Sequence, residues 1–234
     1  MTERTRLADL TTTKPDPIKG VVFDMDGLLL DSETLAMDAL ILAAKDLGHD
    51  MPMAFCRRMI GVPADGCRAL VRETYGEDFP LERFFALQEE HLRGLVDAGE
   101  LALKKGVEPL LDLLDKLEIP RAIATSSSRY RTDHHLKLVG LFERFDAIVT
   151  RDDVSQGKPY PEPYLTAAEK IGVAPADCLA LEDSNSGARA AQAAGIRVII
   201  VPDLLEPVDD VRAKALAVVE DLTVVRAYIE HAAA

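Results

Sequence analysis

The stretch Phe23-Asp24-Met25-Asp26-Gly27 closes the apolar run of residues 18–23, so a buried strand is expected to end on two carboxylates separated by one residue. Acids held this close repel each other and raise each other's proton affinity. Such a pair therefore serves either to bind a cation or to divide into nucleophile and proton donor, and both uses are expected here. Asp and Gly also favour ordinary turns, so the motif draws its weight from the rest of the chain. A calcium loop of the EF-hand type starting at Asp24 is excluded, because it would need an oxygen ligand at Leu28, a glycine at Leu29 and a bidentate glutamate at Leu35.

Beyond this strand, residues 32–101 are charged and mainly helical. Apolar residues recur at helical spacing in Leu35, Ala39, Leu42 and Ala43, and again in Leu81, Phe84, Phe85 and Leu87. Gly48, Pro52, Gly61-Val62-Pro63, Gly76 and Pro80 divide the region into about four helices. From Leu103 the rhythm changes to alternating helix and strand: helices over 107–117, 129–139, 162–171 and 184–194, strands over 121–125, 146–150, 178–181 and 197–201. Such alternation predicts an α/β fold, a parallel sheet wrapped by helices with a ligand crevice at the strands' carboxyl ends. The helical block, residues 32–102, is then an insertion into a core made of 18–31 and 103–234. Its two connections make a hinge, over which a cap would close and exclude water. Residues 1–17, polar and carrying Pro15 and Pro17, are expected to form a loosely ordered tail.

Composition narrows the function classes. The 234 residues are 48% hydrophobic, enough for a proper core, and 27 basic against 40 acidic residues give a net charge of −13. That balance disfavours nucleic acid and anionic membrane surfaces as partners, so a site for an anionic substrate must supply its own positive charge. Cys56, Cys67 and Cys178 form no Cys-x-x-Cys pattern and read as reduced thiols, with a cytoplasmic location expected. The N-terminal twenty residues lack the apolar stretch of a signal peptide, and no run approaches the roughly 18 apolar residues that span a bilayer.

Polar residues follow the apolar strands at four separated places: Asp24 and Asp26, Thr125-Ser126-Ser127, Lys158 in Gly157-Lys158-Pro159, and Glu182-Asp183-Ser184. Singly each has a plain explanation as a helix cap, a solvated lysine or a helix start. In a parallel sheet, however, they converge on one edge and form a complete phosphoryl-transfer set. Asp24 can act as a nucleophilic carboxylate, and Asp26 can protonate the leaving oxygen and then activate water. Asp24, Asp183 and a backbone carbonyl near Asp26 offer hard oxygen ligands for Mg2+, with Glu182 bound directly or through water. Lys158, Thr125, Ser127 and the Ser126 amide would hold the phosphate oxygens, beside Gly27.

Asp24-Met25-Asp26-Gly27, Thr125-Ser126-Ser127, Lys158-Pro159 and Glu182-Asp183-Ser184-Asn185-Ser186-Gly187 resemble the four ordered motifs of the haloacid dehalogenase superfamily. The resemblance implies a Rossmann-like core with a four-helix cap after the first strand, as in the branch containing phosphoglycolate phosphatase, sugar-phosphate phosphatases and beta-phosphoglucomutase. It also implies Mg2+-dependent chemistry through an aspartyl-phosphate. Asp26 argues against a dehalogenase, which lacks that second acid. The positions where the mutase has a cap arginine and a histidine fall at Ala64 and Ala36, and no lysine occurs between Lys45 and Lys104, so a grip on a second phosphate is not expected.

The expected activity is thus hydrolysis of a small phosphorylated metabolite such as a sugar phosphate, by a protein expected to work as a monomer. The alternatives are a phosphosugar mutase, an Asp-phosphorylated signalling domain, disfavoured by Asp26 and the insertion, and a silent binding protein. Within the cap, Arg57, Arg58, Arg68 and the turn 61–66 are the candidates for substrate contact, against the plain alternative of solvated arginines. Phe55, Met51 and Met53 are expected to pack. His134 and His135 are neighbours that cannot share a helix face and are expected at the surface.

Overall fold

The computed structural model of the protein describes residues 4–5, 7–11, 16–60, 62 and 64–233. A short helix α1 (Leu7–Leu10) precedes strand β1 (Gly20–Phe23). The insertion follows with helices α2 (Ser32–Asp46), α3 (Met53–Cys56), α4 (Ala64–Tyr75) and α5 (Leu81–Asp97). The chain then runs α6 (Val107–Lys116), β2 (Arg121–Ala124), α7 (Arg129–Leu138), β3 (Ala147–Val149), α8 (Glu162–Lys170) and β4 (Cys178–Glu182). It finishes with α9 (Asn185–Ala193), β5 (Arg197–Ile200), α10 (Asp209–Arg212), β6 (Ala217–Val218) and α11 (Leu222–Ala233). It divides into two compact units, residues 31–102 and the remainder. None of the described helices is long and apolar enough to cross a membrane.

The larger unit is built on one six-stranded sheet in the order β3-β2-β1-β4-β5-β6, with every pairing parallel. Val22 stands opposite Ala122 on β2 and Ala180 on β4. From β1 the chain steps outward to β2 and β3, then crosses to β4 on the other side of β1. The order therefore reverses between β1 and β4, where α/β sheets open a crevice at their carboxyl ends. Both faces of the sheet are covered, which is why β1 reads as continuous apolar sequence rather than alternation. Val22, Ala122, Ala124, Ala180, Val198 and Ile200 share one core with Tyr164, Ala167 and Ala168 of α8 and Ala188, Ala190 and Ala191 of α9. Their strand neighbours Val21, Phe23, Ile123, Leu179, Leu181 and Ile199, also buried, point to the opposite face because side chains alternate along a strand. At about 25 cal/mol per Å2 of apolar surface removed from water, each such side chain adds roughly 1.5–3 kcal/mol to the core.

Among its described residues the inserted unit contains helices and no strand, as its spacing predicts. Aromatic rings bind its segments together: Phe55 meets Tyr75 edge-on at 5.3 Å between centroids, Tyr75 lies 5.2 Å from Phe79, and Phe79 lies 5.2 Å from Phe84. Met51 and Phe55 are buried in this packing. Where the chain enters and leaves the insertion, the two crossings are paired within each unit. Leu30 and Leu103 form an antiparallel bridge, and the Asp31 N–H donates to the Ala102 carbonyl at 2.9 Å.

Among the described residues before β1, the Thr5 N–H donates to Val218 O at 2.7 Å, Thr5 Oγ1 accepts from the Val218 N–H, and Arg4 pairs with Glu206. Thr5 thus pairs with β6, an edge strand of the sheet. Beyond Val201, α10, β6 and α11 complete the larger unit. His135 is buried at 5% exposure rather than at the surface, because the helix turns it inward beside Thr132 and Leu136 while His134 stacks on the exposed Tyr130 ring.

Candidate active site

Asp24 follows β1 directly, its N–H paired to Leu181 O at 3.0 Å, so its side chain leaves the sheet at the β1/β4 switch point. The Asp24 carboxylate is buried. Lys158 Nζ donates to both Asp24 Oδ1 and Glu182 Oε1 and lies 5.2 Å above the Tyr164 ring. Lys158 is itself only 4% exposed; it reaches the site from the loop between β3 and α8. Carboxylate oxygens of Asp24, Glu182 and Asp183 lie within 4.8 Å of one another.

Burial pushes the Asp24 carboxyl up from its usual range to about 7, with Lys158 pulling down and Glu182 pushing up. Burial opposes the charge of Lys158, but Asp24 and Glu182 together hold its pKa above the usual lysine value. Three carboxylates against one ammonium leave a formal excess of two negative charges, which a buried site cannot hold without a proton or a cation. The donor set is all oxygen, so a small hard divalent cation matches both its charge and its chemistry. By that test the residues present fit the Mg2+ expected from the sequence.

Glu182 is fully buried, and its two oxygens receive four donors. Oε1 takes Lys158 and the Tyr164 hydroxyl (2.6 Å); Oε2 takes the Ser184 hydroxyl (2.9 Å) and the Ser184 N–H (3.2 Å). A carboxylate offers about four lone-pair positions, so Glu182 is fully engaged in holding Lys158 and the start of α9. Ser184 is also the N-cap of α9, accepting from the Gly187 N–H. A Cβ at position 187 would collide with the Glu182 carboxylate, which explains glycine there. Burial and Glu182 raise the Tyr164 hydroxyl well above its usual pKa, keeping it a donor.

Asp26 has a different environment. Its carboxylate does not join the cluster of Asp24, Glu182 and Asp183; it accepts from Ser127 Oγ at 2.7 Å and faces the Arg131 guanidinium at 3.8 Å. A ligand from this position would be the backbone carbonyl. Gly27 has φ +82°, and a Cβ there would collide with Asp183 Oδ2, so glycine is required both for the turn and for the approach of Asp183.

Thr125, buried at the end of β2, accepts the Ser127 N–H on its hydroxyl at 3.0 Å, fixing the turn that presents Ser126, which is exposed, and Ser127. Ser127, expected on the phosphate, holds Asp26. Ser128 rather than the preceding serines caps α7.

In the inserted unit, Arg57 and Arg58 are exposed. Arg58 lies over the Phe55 ring at 5.5 Å, while Arg68 lies over Phe85 at 5.0 Å and pairs with Glu82. Gly61 and Pro63 of the 61–66 turn lie outside the described residues. A cavity of about 170 Å3 within this unit is lined by Glu33, Met37, Leu40, Met59, Ile60 and Phe85, among others, with no lysine or arginine among the described residues that line it.

Arg131 and Tyr164 were not singled out from the sequence. Neither sits in a motif: each lies inside a helix, and only the helical spacing that turns it toward the strand ends could have pointed to it.

The model of the haloacid dehalogenase-like hydrolases matches residues 18–195. YhcW of Bacillus subtilis (strain 168) is 37% identical over 188 residues, covering 80% of this chain and 84% of its own. The phosphorylated carbohydrates phosphatase of Thermotoga maritima is 34% identical over 183 residues, covering 78% and 84%. The crystal structure of a hydrolase of the same family from Deinococcus radiodurans R1, with bound phosphate and sodium, superposes with a TM-score of 0.79 at 27% identity, over 93% of this chain and 97% of that one.

Proposed function

Because this chain belongs to the haloacid dehalogenase-like hydrolases and is a phosphatase, we propose that it hydrolyses the monoester of a small phosphorylated metabolite, a sugar phosphate or similar, with Mg2+ and through an aspartyl-phosphate on Asp24. The observation that carries this is the division of labour between the two acids of one turn. Asp24 is anchored by Lys158 beside Asp183, while Asp26 is held apart by Ser127 and Arg131.

Asp24 and Asp183, with the Asp26 carbonyl, would hold Mg2+; Glu182, with its four donors, acts by fixing Lys158. When bound, the ion neutralises charge between the anionic nucleophile and the anionic phosphate. Lys158 holds Asp24 Oδ1 and offers positive charge to the phosphoryl oxygens as they approach. An Asp24 oxygen attacks phosphorus, the bond from phosphorus to the ester oxygen breaks, and Asp26 delivers its proton to the departing alkoxide. Asp26, now a carboxylate, takes a proton from water; the water oxygen attacks phosphorus, the bond to Asp24 breaks, and inorganic phosphate leaves. Ser127 and Arg131 keep the Asp26 carboxyl pointed at the leaving group in the first half and at the water in the second.

A sugar-phosphate substrate is favoured by the name of the Thermotoga maritima relative. Hydrolysis over mutase chemistry is favoured by Ala64 and Ala36, which stand where the mutase has a cap arginine and a histidine. Phosphate release from an aryl phosphate, in Mg2+ and in chelator, tests the proposal on the wild type, Asp24→Asn and Asp26→Asn. Turnover requiring Mg2+, lost in Asp24→Asn and strongly lowered in Asp26→Asn, is expected. Turnover in chelator, or by Asp24→Asn at the wild-type rate, would refute it.

A further inference from the structure

Asp203, three residues past β5, belongs to none of the motifs above, yet its side chain is only 7% exposed. Lys104 Nζ pairs with its Oδ1 at 2.7 Å. Its other oxygen, Oδ2, is buried and has no hydrogen-bond donor among the described residues. That oxygen faces the same spot as Asp183: a Cβ on Gly27 would collide with Asp183 Oδ2 and would lie 3.4 Å from Asp203 Oδ2. The bare Cα of Gly27 thus leaves a small polar space with an Asp183 oxygen on one side and a donor-less Asp203 oxygen on the other. Asp203 does not belong to the set of carboxylates whose oxygens all lie within 4.8 Å of one another, so it is not a further direct ligand.

Resting on the Mg2+-dependent phosphatase proposed above, we propose that Asp203 is a positioning residue of the metal site: its Oδ2 accepts a hydrogen bond from a water of the Mg2+ hydration shell, while Lys104 fixes its orientation through Oδ1. A carboxylate oxygen buried without a donor forfeits its solvation, and a water polarised by Mg2+, an ion that keeps several of its waters on binding, supplies the missing donor. Lys104 offsets the charge of Asp203, so this carboxylate can stand near the cluster without adding to its excess of negative charge. The backbone of Lys104 is itself fixed, its N–H donating to Leu29 O at 2.9 Å, three residues from Ser32 at the start of the insertion.

The test is calorimetric titration of Mg2+ into the wild type, Asp203→Asn and Asp203→Ala, with thermal unfolding in chelator to establish that each is folded. In Asp203→Asn the amide oxygen keeps Lys104 and the NH2 group, a donor, faces the site; in Asp203→Ala both partners are lost. Carboxylates that orient a metal's surroundings are worth about 10–100-fold in affinity, so the Mg2+ Kd should rise at least about 10-fold in both variants. A Kd within about twofold of wild type in either folded variant would overturn the inference and leave Asp203 as a partner of Lys104 only. If the wild type itself binds no Mg2+, the metal-dependent function falls, and this inference with it.

Discussion

Asp24→Asn should make the metal-free protein more stable while destroying its activity. Burial, opposed by Lys158, raises the Asp24 carboxyl from 3.8 to about 7 in the folded chain. A raised carboxyl pKa means that the folded state holds the proton more tightly than the unfolded state. The stabilisation this gives is full below pH 3.8 and is lost as pH rises through 7; above 7 the ionised group costs its full penalty. About three pKa units at 1.36 kcal/mol each set a ceiling of ~4 kcal/mol on that penalty. For a chain of this size, 1 kcal/mol moves Tm by about 2–4 °C. The amide of Asn still accepts from Lys158 but never ionises. In chelator, therefore, Asp24→Asn should match the wild type near pH 4 and exceed it by up to ~4 kcal/mol, about 8–16 °C in Tm, at pH 8. Saturating Mg2+ should shrink the difference, because the ion stabilises the wild type by binding its ionised Asp24 and finds a weaker ligand in the variant. Thermal unfolding across pH 4–8, with and without Mg2+, measures all of this. A variant no more stable than wild type in chelator at pH 8, or a difference that does not grow with pH, would show that Asp24 carries no buried charge penalty.

Asp26→Asn should keep the fold and Mg2+ affinity but lower turnover by about 10²–10⁴-fold, with alkyl phosphates hit harder than aryl phosphates, whose leaving groups need a proton least; equal losses on both would remove Asp26 from the role of proton donor. Tyr164→Phe removes a hydrogen bond to a buried carboxylate, worth about 1.5–3 kcal/mol, and denaturant unfolding should show that loss; an unchanged midpoint would mean that Glu182 does not depend on it. Gly27→Ala places a methyl against Asp183 at a φ that L residues rarely adopt, and should weaken Mg2+ binding measured by calorimetry; wild-type affinity would show that Asp183 is not fixed by this turn.

The parts of the site that were readable in the sequence are those set by local chain chemistry. An apolar run that ends on Asp24-x-Asp26-Gly27, on Thr125-Ser126-Ser127 or on Glu182-Asp183 is a strand end carrying polar groups, and parallel topology brings such ends together. Strand positions were found to within about two residues for the same reason, except β6, whose two residues carry no periodicity. Tyr164, Arg131 and Asp203 escaped notice because nothing in their neighbours distinguishes them. Tyr164 reads as an apolar residue of α8, and its hydroxyl matters only because α8 packs where Glu182 is buried. Arg131 reads as one charge in a charged helix and matters through its distance to Asp26. Asp203 sits in a Pro-Asp loop and draws its interest from Gly27, far away in sequence. Spacing places Ser127 at the site without saying that Asp26 takes its hydroxyl.

The central claim is a covalent phosphoryl group on Asp24. Mixing the enzyme with a phosphate ester and Mg2+, quenching in acid during turnover and mapping the peptides by mass spectrometry tests it most directly. An acid-stable phosphoryl adduct on the peptide bearing Asp24, absent in chelator and in Asp24→Asn and enriched in Asp26→Asn with an aryl ester, is the predicted result. Turnover in which no phosphoryl group reaches Asp24, with Asp24→Asn still releasing phosphate, would contradict it.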